Sequence, residues 1–93
     1  MSKAIDISGI DKAVVLAALY NAASSPGMAI RDRQSEDMTV EKAREILATG
    51  ETYFDYLGGR LLKIDLRTNL LDPYLYDRDH GVGAAETAII NAM

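Results

Sequence analysis

Residues 60–66 read RLLKIDL, and the apolar side chains alternate along them. Leu62, Ile64 and Leu66 point one way, while Leu61, Lys63 and Asp65 point the other. This period of two is the signature of a strand with one covered face. A chain that holds such a strand must also supply the elements that cover it. The 93 residues suffice for one domain with one modest core.

The cover comes from segments with helical periodicity. Asp11 is placed to cap a first helix over residues 12–23. Val15, Leu19 and Ala22 recur along it at helical spacing, widened by Leu16 and Tyr20. Tyr20 is expected at the edge of this stripe, with its hydroxyl near water. Asn21 and the SSPG stretch (24–27) stop the helix. Thr39 caps a second helix over residues 40–49. Val40, Ala43, Ile46 and Leu47 form its apolar stripe, and Gly50 suits its C-terminal end. A last helix spans residues 83–93, with Ala85, Ile89 and Met93 on one side and Ala88 beside them.

Between these lie shorter pieces. MAI (28–30) reads as a minimal strand, and the stretch that follows it as a polar loop. In YFDYL (53–57), Tyr53, Phe54 and Leu57 fit one face of a helical turn, which Gly58 and Gly59 break. RTN (67–69) reads as a turn. Asp72 before Pro73 starts another helical turn, over residues 73–76. Residues 1–9 are expected as a loosely ordered lead-in, with Ile5 and Ile7 docking on the domain. The expected fold is α+β: a single domain over residues 1–93, with about three helices on a small antiparallel sheet. The strand at 60–66 is expected to pair with residues 28–30 or with a short strand at Leu70 and Leu71.

Composition closes off several kinds of chemistry. With no cysteine, disulfides, iron–sulfur clusters, thiolate zinc sites and a cysteine nucleophile are excluded. The single His80 excludes any site needing two histidines. A net charge of −4 disfavours nonspecific binding to nucleic acid or anionic membrane. The ten basic residues form no run. The N-terminal residues are mixed and polar, unlike a signal peptide, and the longest apolar run is far short of a membrane span. The expected setting is cytoplasmic.

LYDRDHGVGAAE (75–86) is the stretch richest in chemistry. As a calcium loop starting at Asp77 it fails. Gly81, Val82 and Ala88 stand where a ligand, a glycine and a glutamate are required. Asp72, Asp77, Asp79 and His80 are the residues a transition metal would use, at a spacing that diagnoses nothing. As an anion cradle, the stretch lacks the G-x-x-x-x-G-K-[ST] pattern, and Asp77 and Asp79 would repel a phosphate. The favoured reading is a structural joint. Asp77 or Asp79 accepts backbone hydrogen bonds, and Gly81 and Gly83 supply turn geometry. Catalysis would need two of Asp65, Asp72, Asp77 and Asp79 as general acid and base in a cleft that separates their pKa values. No serine sits in a nucleophile motif, and the spacing of Ser24 and Ser25 from His80 carries no information. No catalytic residue, cofactor or metal is assigned, and the balance leans away from an enzyme.

A binding surface remains. Tyrosine joins apolar area to a polar tip and suits interfaces. Tyr56, Arg60, Leu61, Tyr74, Tyr76 and Arg78 are the candidate contact residues, with Tyr56 the one expected to point outward. The contrary reading is that a small domain uses its tyrosines to close its core.

Four blocks together carry a resemblance. They are D-K-x-x-V-L-x-x-L-Y-N at 11–21, M-T-x-x-x-A at 38–43, Y-F-D-Y-L-x-G-R at 53–60 and L-Y-D-R-D-x-G-x-G-A-A at 75–85. In this combination the chain resembles a family of small, uncharacterised bacterial and prophage-encoded proteins. The resemblance spans nearly the whole domain and brings no activity or ligand with it. His80 stands where that pattern more often has asparagine, which weakens a catalytic role for it. The expected function is a protein-interaction module, whether as a homodimer or as a phage-encoded modulator of a bacterial protein. The alternative is a small hydrolase or metal-dependent enzyme using Asp72, Asp77, Asp79 and His80.

Overall fold

The computed structural model describes residues 3–23 and 37–93. The expected strand at 28–30, the SSPG stop and most of the polar loop lie outside them. The described residues form an α+β fold of four helices and two small antiparallel sheets. In chain order these are β1 (Ile5–Asp6), α1 (Lys12–Ala22), α2 (Val40–Ala48), β2 (Tyr53–Leu57), β3 (Arg60–Asp65), β4 (Leu70–Leu71), α3 (Tyr74–His80) and α4 (Ala84–Ala92).

α1 is the centre of the domain. It starts where Asp11 accepts a hydrogen bond from the Ala13 amide. Seven of its eleven residues are buried, from Ala13 through Tyr20. The sequence suggests one stripe, but a helix buried nearly all round must have neighbours on several sides. α2, α4 and β3 supply them. The small side chains of Ala13, Ala17 and Ala18 let these elements approach. Ala22, expected within the stripe, is exposed.

The end of α1 is held from outside. The last carbonyls of a helix have no partner within it, and α1 has no basic residue in its last turn. The Tyr76 hydroxyl donates to the Leu19 carbonyl at 2.7 Å, and Arg60 Nη1 donates to the Tyr20 carbonyl at 2.9 Å. Asn21, near the end of α1, holds Met38, just before α2. Its amide donates to the Met38 carbonyl and its oxygen accepts from the Met38 amide. Thr39 then caps α2 through the Lys42 amide.

YFDYL is a strand, which corrects the expected helical turn. β2 pairs antiparallel with β3, matching Tyr53 to Asp65, Phe54 to Ile64, Tyr56 to Leu61 and Leu57 to Arg60. Gly58 and Gly59 join the strands, both at positive φ (55° and 86°). Two consecutive left-handed residues are what a tight hairpin turn demands. The spacing of Tyr53, Phe54 and Leu57 suits a helix as well as a strand, and pairing across the glycines decides it. The ladder is irregular between Phe54 and Tyr56. There Lys63 takes φ 51°, a left-handed backbone, where β3 carries one residue more than β2.

The lead-in is not loose throughout. Ile5 pairs with Leu71 and Asp6 with Leu70, and the Ile7 amide extends the contact to the Asn69 carbonyl. The partner expected of Leu70 and Leu71 was the 60–66 strand, but they pair with β1 instead. Ile7 is buried, and with Leu16, Leu19, Leu62, Ile64, Leu66, Leu71 and Tyr76 it forms the centre of the core.

Candidate functional site

The Asp- and Gly-rich stretch joins α3 to α4. α3 begins beyond Asp72, whose carboxylate accepts from the Tyr74 amide at 3.0 Å. It runs one turn further than the sequence suggests, to His80. Gly81 (φ 117°) and Gly83 (φ 76°) then turn the chain, with the Ala84 amide closing on the Gly81 carbonyl. An L-residue would resist these values whatever the free space around it.

Asp77 spans the joint. Its Oδ1 accepts from the Ala85 amide at 3.0 Å and its Oδ2 from the Gly83 amide at 3.2 Å. One carboxylate on α3 thus satisfies amides at the start of α4, where negative charge is favoured. Gly83, the residue before α4, has no side chain to do so. Asp79 faces elsewhere and pairs with its neighbour Arg78 at 3.5 Å.

His80 is a structural contact. Its Nε2 lies 2.7 Å from the Leu61 carbonyl on β3, so the ring nitrogen is the donor. The ring also packs on Tyr76, with centroids 4.5 Å apart. His80 is half-buried and ends α3, where it is the clasp between that helix and the sheet. Burial, with the nearby Asp77 carboxylate as a lesser cause, pushes the Tyr76 hydroxyl up to about 12. Tyr76 therefore stays a neutral donor.

The residues of the enzymatic alternative do not converge. Asp72 caps α3, Asp77 caps α4, Asp79 pairs with Arg78 and His80 holds Leu61. Asp65 is chelated by Arg67 through Nε and Nη2, and these bonds hold its carboxyl below the usual range. Among the described residues, no three His, Asp or Glu side chains gather as metal ligands.

The six candidate contact residues separate. Arg60 is only 9% exposed, over the Tyr20 ring (4.4 Å to the centroid) and 3.6 Å from Asp37. Tyr76 is fully buried. Both were expected at the surface, and both instead serve the end of α1. Tyr20 is a related correction. It is buried, and its hydroxyl donates to the Gly58 carbonyl rather than to water. Tyr74 and Arg78 line a groove with Ile5, Pro73 and Val82. Tyr56 and Leu61 face each other across the hairpin, on the side away from the core. Tyr53, which helical spacing groups with Phe54 and Leu57, is exposed as well, since Phe54 takes the buried position.

Among the described residues, the hairpin gathers exposed tyrosines beside a concavity. Tyr53 is 46% exposed and Tyr56 59%, with Leu61 and Lys63 half-buried on the neighbouring strand. Beside Tyr53 and Tyr56 a concavity continues over Ile46, Thr49 and Leu57. Among the described residues, no helix is long and apolar enough to cross a membrane. Comparison with models of protein families, with curated proteins and with solved structures finds no match.

Proposed function

We propose that the chain is a protein-interaction module whose contact surface is the outer face of the β2–β3 hairpin. One observation carries the reading: Tyr53 and Tyr56 stand exposed on a strand whose neighbouring Phe54 is buried. Tyrosine supplies large, amphipathic contact area with only two side-chain torsions to order. Leu61 lies opposite Tyr56 and gives the patch an aliphatic centre. Glu51, Asp55, Lys63 and Asp65 provide the polar rim that interfaces require. The proposed partner is a second copy of the chain or a bacterial protein.

The test uses a double variant, Tyr56→Ser with Leu61→Lys, which changes the outer face alone. Sedimentation equilibrium over a wide concentration range reads self-association, and affinity capture from a bacterial lysate reads other partners. The wild-type chain is expected to dimerise or retain a protein, and the variant to lose that binding with its far-ultraviolet dichroism unchanged. A wild-type chain that stays monomeric at high micromolar concentration and retains nothing through this face refutes the reading.

A further inference from the structure

We draw no further inference here: the strongest candidate, the groove of about 470 Å³ beside the α3–α4 joint lined by Ile5, Pro73, Tyr74, Arg78 and Val82, is an unpartnered surface and nothing in the structure shows what covers it.

Discussion

Replacing Asp77 with alanine removes both carboxylate contacts that bridge α3 and α4. The Gly83 and Ala85 amides each lose their acceptor. Loss of a helix-capping side chain costs about 0.5–2 kcal/mol. Two features place this site at the upper end. The acceptor is charged, which strengthens each bond, and the amides are part-buried, so water replaces it incompletely. The expected loss is about 2 kcal/mol. For a domain of this size that lowers the melting temperature by roughly 8–16 °C. The effect is global because α4 contributes Ala85, Ala88 and Ile89 to the core.

Urea unfolding is the assay, with the midpoint reporting stability and the slope checking that the unfolding transition is unchanged. Asp77→Asn separates geometry from charge. Asparagine keeps one acceptor oxygen and caps well, so it is expected to recover about half of the loss. Asp79→Ala is the control. Its ion pair with Arg78 is at the surface, so removal is expected to cost less than about 0.5 kcal/mol. An Asp77→Ala protein within 0.5 kcal/mol of wild type (about the noise of surface substitutions), or one more stable than Asp79→Ala, would refute the account of the joint.

Three further outcomes are expected. His80→Ala should cost about 1–2 kcal/mol in urea unfolding, through the Leu61 carbonyl left without its donor; a neutral result would show that the clasp is not formed. Gly81→Ala should destabilise although nothing lies within 4 Å of the added methyl group, because φ 117° with ψ 152° is a backbone essentially confined to glycine; a neutral result in thermal unfolding removes the argument. The third is pH dependence. The Tyr76 hydroxyl titrates higher folded than its usual value near 10. Its contribution is complete below pH 10 and is lost as pH rises towards 12. Tyr76→Phe should flatten that alkaline limb in an unfolding series. On the acid side, the Ala13 amide and Arg44 lower Asp11, while the Arg67 side chain and amide lower Asp65. Their contribution is complete above the usual carboxylate value near 4 and is lost as pH falls through the lowered ones; Asp11→Asn should blunt that acid loss.

Local devices were legible in the sequence. Asp11 and Thr39 cap their helices within three residues of themselves, so their role needs no knowledge of the fold. The alternation survives because Leu62 and Ile64 lie on the covered face of β3 and Leu66, the residue after it, is buried as well. The errors lie where a distant partner decides. Tyr53, Phe54 and Leu57 satisfy two periodicities, and only the partner strand beyond Gly58 and Gly59 selects one. β1 and β4 have two residues each, too few for any period to register. Each exists because the other is there to pair with it.

The candidate surface shows the same division. Asp77 and Asp79 look equivalent while α3 is taken to end at Tyr76. Once α3 continues to His80, the two residues point to different sides of the helix, and only Asp77 reaches the start of α4. Arg60 and Tyr76 raise a sharper point. A charged and a phenolic side chain in a small acidic domain suggest solvent, yet both are buried. The reason lies forty to fifty-seven residues away. α1 ends without a basic residue in its last turn, and beyond the Ala23 amide on the Tyr20 carbonyl its last carbonyls take donors from distant side chains. Arg60 and Tyr76 are those donors. Their polarity meets a demand of the backbone, and they are withdrawn from any surface a partner meets. Tyr53 moves the opposite way, because Phe54 fills the buried position beside it. The exposed tyrosines of β2 answer no such demand within the described fold, and for that reason the hairpin face, rather than the joint with its aspartates and histidine, carries the proposed interaction.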